Sequence, residues 1–166
     1  MDPGEVYRYL SDDHSRLDDA LQRATHDPGR IEPADYAEFR EGLLRHIAME
    51  EKILLPAART ANGGQPLAAA ATLHLDHAAL AGLLVLTPAH RFITAIKSVL
   101  DRHNPLEEGP SGVYEECERL FGPETDAIAA RLRNASPVTV AKYVDNAIAL
   151  ESARHNLRKA GFSVEI

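Results

Sequence analysis

Residues 46–51, His-Ile-Ala-Met-Glu-Glu, recur in outline at residues 103–108, His-Asn-Pro-Leu-Glu-Glu. In each stretch a glutamate follows a histidine by four positions, and residues four apart lie about 40° apart on one face of a helix. Each stretch is therefore placed to hold a metal ion from a single helix. The two pairs are His46 with Glu50 and His103 with Glu107.

A second histidine precedes each of these stretches, as part of an Asp-His pair followed by a leucine three positions on. These pairs are Asp13-His14 and Asp76-His77. The chain thus has the order His, His-x3-Glu, His, His-x3-Glu, which predicts a metal site at the centre of a helical bundle. The candidate ligands in this pattern are His14, His46, Glu50, His77, His103 and Glu107.

The candidate ligands occupy the apolar faces of the predicted helices rather than the polar faces. His14, for example, lies between Leu10 and Leu17 in a three-four spacing of apolar residues. An amphipathic helix normally places its polar residues on the outer face. A buried carboxylate without a partner costs several kcal/mol or takes up a proton. Metal coordination removes that cost, so the pattern favours ligands over isolated core residues.

The spacing of apolar residues predicts an all-α chain, because no segment has a convincing period-two strand pattern. The predicted helices are 3–26, 33–60, 66–86, 88–104 and 137–160, with a broken helical stretch from 105 to 134. Prolines mark several of the starts, since proline suits the first helical turn. These prolines are Pro3, Pro33, Pro66, Pro88 and Pro137, with Thr87 and Ser136 as predicted N-caps.

The expected architecture is an antiparallel four-helix bundle with additional C-terminal helices. Residues 1–120 form the predicted metal-binding bundle. Residues 121–166 form a helical extension that either packs on the bundle or provides a homodimer contact.

Composition limits the classes of partner. The net charge of −7 argues against nucleic acid, which binds basic surfaces. No stretch approaches the roughly 20 apolar residues of a membrane span, and the N-terminus does not resemble a signal peptide. The single cysteine, Cys117, excludes an internal disulfide and fits a reducing compartment. We expect a cytoplasmic protein that binds neither membranes nor nucleic acid.

At these residues the chain resembles the hemerythrin-like, HHE cation-binding family, over roughly residues 5–120. The matching stretches are 13–17, 46–56, 74–77 and 103–108, of which 46–56 is the most specific. The resemblance implies a hemerythrin-like four-helix bundle with two non-haem iron ions. It makes the histidines terminal ligands (His14, His46, His77 and His103) and the two glutamates bridges (Glu50 and Glu107).

Two features of the resemblance concern single positions. His74 would be the additional histidine of the oxygen-carrying members, which place it four residues before the equivalent of His77, whereas here the spacing is three. Pro105 lies between His103 and Glu107, and a proline inside a helix removes a backbone hydrogen bond and bends it. We expect the helix to end near Asn104 and to restart at Pro105. Glu108 is then the substitute for Glu107, since oxygen carriers use a carboxylate five residues after this histidine.

The donor set decides which functions are open. Imidazole and carboxylate without thiolate suit iron or manganese, with zinc as an alternative. The favoured function is a di-iron protein that binds or senses dioxygen, nitric oxide or iron. One alternative is a di-iron enzyme that processes peroxide or another oxidant. The other is a metal-free or zinc-stabilised helical interaction module. No additional acid–base or nucleophile motif is apparent, so whether the protein is an enzyme stays open.

Overall fold

The computed structural model describes residues 2–166, and within this range it contains helices and loops but no strand. The all-α prediction is confirmed. The helices are α1 (Glu5–Ala24), α2 (Pro33–Met49), α3 (Leu55–Ala61), α4 (Ala70–Val85), α5 (His90–Glu108), α6 (Val113–Phe121), α7 (Thr125–Arg133) and α8 (Ala147–Lys159). A π-helical turn, Glu50–Leu54, joins α2 to α3, and a 3₁₀ turn, Gly122–Glu124, precedes α7.

Four of the helices form a closed ring of contacts. Helix α1 packs against α2 and α5, and α4 packs against α5 and α2. Helices α1 and α2 run antiparallel, because Arg23 pairs with Asp35 next to the connecting loop while Tyr9 contacts Met49 at the other end. The four helices that carry the candidate histidines therefore surround one interior.

The apolar core is divided into two clusters by the level of the candidate ligands. On α1, Leu10 belongs to one cluster and Leu17 to the other, with His14 between them. On α4, Leu73 and Leu80 are divided in the same way by His77. The histidines thus lie at matched depth, with apolar packing above and below them.

The C-terminal helices pack on the outside of this ring. Helix α7 contacts α1, and α8 contacts α4. A Cβ atom at Gly82 would lie 3.3 Å from Cα of Ala153, so the absence of a side chain lets α8 approach α4 closely. Leu157 of α8 is buried in the same cluster as the residues of α4.

The prediction of a helix over 137–160 was wrong in its first ten residues. Residues 135–145 have no regular structure, and α8 begins at Ala147 with the side chain of Asn146 accepting a hydrogen bond from the Ala149 N–H. The preceding segment is held to the bundle instead. Nη1 of Arg40 donates to the Ala141 carbonyl at 2.9 Å, and the Val144 N–H donates to the Val85 carbonyl at 3.0 Å. Ser136 and Pro137 therefore do not start a helix.

Other boundaries differ less. The predicted helix 33–60 corresponds to α2, the π-helical turn and α3 in succession. Pro33 occupies the first turn of α2 as predicted, whereas α5 begins at His90 with Ala89, not Thr87, as its N-cap residue. Among residues 2–166, no helix is both long and apolar enough to cross a membrane.

Candidate metal centre

The six residues of the repeated pattern meet in the interior, and none of them is more than 7 % exposed. Helices α1, α2, α4 and α5 each provide one histidine, and Glu107 comes from α5. Glu50 is the first residue of the π-helical turn, a form of helix that occurs frequently at functional sites. We refer to these residues as the His/Glu cluster: His14, His46, Glu50, His77, His103 and Glu107.

One side of the cluster contains Glu50, His77, His103 and Glu107, whose ligand atoms lie within 4.8 Å of one another. Oε2 of Glu50 lies 3.1 Å from Nε2 of His77. Oε1 of Glu107 lies 3.0 Å from Nε2 of His103. We call this set the first metal position.

The other side contains His14, His46 and Glu107, again within 4.8 Å. Oε2 of Glu107 lies 3.3 Å from Nε2 of His14, and Oε1 of Glu50 lies 3.3 Å from Nε2 of His46. We call this set the second metal position. Each glutamate thus directs one oxygen to each side, which is the arrangement that a carboxylate bridging two ions requires.

The outward-facing nitrogens of the histidines have carboxylate partners. When Nδ1 of a histidine is fixed by a carboxylate, its Nε2 is oriented inward and made a better metal ligand. The Nδ1 contacts are His46 to Asp13 at 2.8 Å, His77 to Glu51 at 2.6 Å, and His103 to Asp76 at 3.3 Å. His14 is similar, with Nδ1 3.4 Å from a carboxylate oxygen of Glu108, though without hydrogen-bond geometry.

The two aspartates are themselves held by arginines on the side away from the cluster. Nε and Nη2 of Arg16 donate to Asp13 at 2.9 and 2.8 Å. Nη2 of Arg102 donates to Asp76, and its Nη1 donates to the Ala160 carbonyl at the end of α8. The orientation of His46 and His103 is therefore fixed by contacts that extend to the surface.

Tyr114 of α6 lies inside the cluster and was not identified from the sequence. Its side chain is fully buried, and its hydroxyl donates to Oε1 of Glu50 at 2.7 Å. The hydroxyl oxygen of Tyr114 also lies 3.1 Å from Oε2 of Glu107 and 3.3 Å from Nε2 of both His14 and His46. Tyr114 therefore belongs to the second metal position.

The histidines and glutamates stabilise each other's charged forms. Burial by itself would lower the pKa of His46, but Glu50 and Asp13 raise it to about 10. Burial would also lower the pKa of His103, but Glu107 and Asp76 raise this pKa to about 10. Burial raises the pKa of Glu50, yet the neighbouring His46 holds it well below the usual value. Without metal, imidazolium–carboxylate pairs thus carry the charge that a cation would otherwise balance.

Several buried atoms fit a cation better than they fit each other. Oε2 of Glu50, Nε2 of His77 and Oε1 of Glu107 are buried at ion-pair distance from their neighbours, but none has hydrogen-bond geometry with a described residue. All three belong to the first metal position. Buried polar atoms are otherwise almost always paired, so these three are the ones that a bound metal ion would satisfy.

His74 is not brought into the cluster, contrary to expectation. Its side chain is 52 % exposed, and its Nδ1 contacts Glu51 at 2.7 Å. His74 is three residues before His77, so its side chain is rotated by about 60° around the helix from that of His77. This rotation directs His74 toward solvent. Glu51 binds both His74 and His77, so His74 contacts the cluster only through this carboxylate.

The expected interruption of the helix at Pro105 was wrong. Helix α5 continues through Pro105 to Glu108. Pro105 and Asp101, whose carbonyl loses its helical partner to the proline, are both exposed, so the distortion is on the solvent side. His103 and Glu107 therefore keep their four-residue spacing on one face. Glu107 is fully buried in the cluster, whereas the Glu108 side chain is 32 % exposed at its edge.

No known family model, curated protein or solved structure matches this chain. Its function is therefore inferred from the donor atoms and their geometry. The cluster is compatible with a metal-binding helical protein because its buried histidines and glutamates form two groups able to hold an ion.

Proposed function

We propose that this chain is a hemerythrin-like protein that holds two non-haem iron ions in the His/Glu cluster and binds or senses dioxygen or nitric oxide there. Glu50, His77, His103 and Glu107 would hold one ion. His14, His46 and Glu107 would hold the other. Manganese and zinc are the alternative metals for the same donors.

The observation that carries this proposal is the position of Glu107. It belongs to both metal positions, with one oxygen directed to His103 and the other to His14. A carboxylate that serves two ions lets one buried anion balance charge at both. A site for a single ion would not need donors on both sides of this residue.

The donor set favours iron. Two histidines and one carboxylate with further open positions are typical of non-haem ferrous sites, and the second metal position has this composition. Iron bound there would supply one-electron chemistry and an affinity for dioxygen, nitric oxide and peroxide. The chain itself orients the imidazoles through Asp13, Glu51 and Asp76, and it excludes water through the two apolar clusters.

A cavity of about 100 Å³ between α1, α2 and α5 has His14 in its wall. Its other walls combine apolar side chains with polar and charged ones. The apolar residues are Leu17, Leu21, Phe39, Leu43 and Leu100, and the polar ones are Asp18, Lys97, Asp101 and Asn104. This volume is below the roughly 300–1,000 Å³ of pockets that bind organic ligands, so the space suits a small molecule. It supports a diatomic ligand rather than a larger organic substrate.

The first test is metal content. Protein expressed with iron and purified anaerobically should contain two iron ions per chain, and Glu50→Ala should lower the occupancy of both positions because Glu50 contacts histidines of each. Anaerobic reduction followed by stopped-flow mixing with dioxygen or nitric oxide should give a reversible adduct. Two zinc ions that cannot be exchanged for iron would instead support the zinc-stabilised interaction module.

A second function, the processing of peroxide or another oxidant, is favoured by the position of His74. Because His74 lies outside the cluster, neither metal position has a third histidine. Both ions would then keep exchangeable positions, which suits turnover more than reversible carriage. Consumption of hydrogen peroxide by the iron-loaded protein, unchanged in His74→Ala, together with irreversible oxidation by dioxygen, would favour this function over carriage.

A further inference from the structure

The phenol oxygen of Tyr114 is the point on which the donor atoms of the second metal position and one oxygen of Glu50 converge. Two carboxylate oxygens and two imidazole nitrogens, from Glu50, Glu107, His14 and His46, all lie 2.7–3.3 Å from it. A phenol donates one proton, here to Oε1 of Glu50, and its oxygen can accept from the imidazole N–H groups of His14 and His46. Hydrogen bonding then leaves the contact with Oε2 of Glu107 without a proton. The same four atoms would surround a cation.

The position of Tyr114 is fixed by the fold rather than by a flexible loop. A Cβ atom at Gly112 would lie 2.5 Å from the Glu107 carbonyl, so the absence of a side chain lets the start of α6 return against the end of α5. The ring then packs edge-on against Tyr7, with centroids 5.9 Å apart, and beside His14 at 5.8 Å. Helix α6 is anchored further by buried Val113, Cys117 and Phe121. A metal ion at the second position would have this oxygen beside it.

We propose that Tyr114 is a metal ligand, binding through its phenolate oxygen the ion that His14, His46 and Glu107 hold. This inference rests on the proposed function, because it assumes that the second position takes a metal. The phenol proton is released to solvent when the ion binds. The two positions then differ chemically, since the first has only imidazole and carboxylate donors and the second also has a phenolate.

The difference has a direct spectroscopic consequence. A phenolate bound to ferric iron gives an intense visible charge-transfer band, which imidazole and carboxylate ligands do not give. The phenolate also stabilises the ferric state of its ion. The ferric protein should therefore be strongly coloured, and the second position should be harder to reduce than the first.

The experiment compares ferric wild-type protein with Tyr114→Phe and with the control Tyr7→Phe. The control removes the hydroxyl of the neighbouring Tyr7 ring. That hydroxyl donates to the Glu108 backbone carbonyl, outside the cluster. Iron content is measured first and the visible spectrum second. We expect the band in the wild type and in Tyr7→Phe, and its loss in Tyr114→Phe with iron retained at the first position.

Each contrary outcome has a separate meaning. Wild-type protein with two irons but no band overturns the ligand role while the proposed function stands. A band that persists in Tyr114→Phe also overturns it. Absence of iron from the wild type overturns both proposals.

A second measurement covers the case in which Tyr114→Phe does not fold. Zinc added to the wild-type protein should produce the ultraviolet difference spectrum of one tyrosinate. The same addition to Glu107→Gln should produce none, because that change removes a shared donor. Zinc binding to the wild type without a tyrosinate signal would overturn the proposal.

Discussion

Asp13 of α1 accepts a hydrogen bond from Nδ1 of His46 on α2, at 2.8 Å. The contact leaves Nε2 of His46 directed toward Glu50, so Asp13 determines which nitrogen of this histidine faces the cluster. Asp76 has the same relationship to His103. The Asp-His pairs of the sequence thus have two functions, since each histidine enters the cluster while the preceding aspartate orients a histidine on the neighbouring helix.

Asp13→Ala should weaken metal binding without unfolding the protein. Loss of such a partner typically costs roughly 10- to 100-fold in metal affinity. The matched control is Asp12→Ala, which removes an exposed carboxylate from the adjacent position. Competition with a chelator would measure both affinities, and equal effects of the two substitutions would contradict the orienting role.

Glu107→Gln and Glu108→Gln should show which of these two neighbouring carboxylates binds metal. Glu107→Gln removes a donor shared by both metal positions, so the occupancy of both positions should fall. Glu108→Gln alters a partly exposed side chain at the edge of the cluster and should leave two ions bound. Metal analysis after dialysis decides the matter. A greater loss of metal from Glu108→Gln than from Glu107→Gln would show that Glu108, and not Glu107, binds the ions.

The main part of the cluster follows from the sequence because the helical period alone aligns it. A four-residue spacing brings His46 and Glu50 to one face whatever the tertiary structure. The apolar residues on either side set the depth of each histidine. Helix α5 continues through Pro105 because this proline lies on the solvent side of the helix. The sequence by itself did not indicate on which side the proline would lie.

Tyr114 could not be found in the same way, because its place depends on a turn between two helices. It follows Glu107 by seven residues, across a Gly-Pro-Ser-Gly segment whose conformation determines where α6 lies. The start of α8 was misplaced for a related reason. Contacts of Arg40 and Val144 with distant backbone hold residues 135–145 in place and override the local helix signal of Pro137.

The stability of the metal-free protein should depend on pH through the cluster. The pKa of His77 is raised to about 9, and those of His46 and His103 to about 10, from 6.5. Their contribution to folding is complete below pH 6.5 and is lost as pH rises through 9 to 10. The lowered pKa of Glu50 contributes fully above pH 4.5 and is lost as pH falls further.

The free energy of unfolding without metal should therefore be highest between pH 4.5 and 6.5 and should decline toward pH 10. Metal binding has the opposite dependence, because the ion displaces protons from the histidines. Denaturant unfolding in a chelator, beside metal titrations at the same pH values, tests both trends. Metal affinity that is constant from pH 6.5 to 9 would contradict the charged state of the histidines.

Leu100→Phe should slow the arrival of a small ligand without changing the metal. Leu100 is partly buried and lines the cavity that reaches His14, so a larger side chain there would reduce the free space. We expect two ions per chain and a lower association rate for nitric oxide in stopped-flow experiments. Ile148→Phe, at a side chain 82 % exposed on α8, is the control. An unchanged rate would mean that the ligand takes another path.

The extension should contribute to the stability of the bundle itself. Leu157 is 1 % exposed and packs in the core cluster that includes Leu80, Leu83 and Leu84 of α4. Leu157→Ala should lower the free energy of unfolding by about 2–5 kcal/mol, as expected for a buried leucine. Ile148→Ala changes an exposed residue of the same helix and should have an effect within about 0.5 kcal/mol. Denaturant unfolding at two protein concentrations would measure both. If α8 acted only in a dimer contact, the Leu157→Ala effect would change with concentration, whereas packing within the chain predicts the same loss at each.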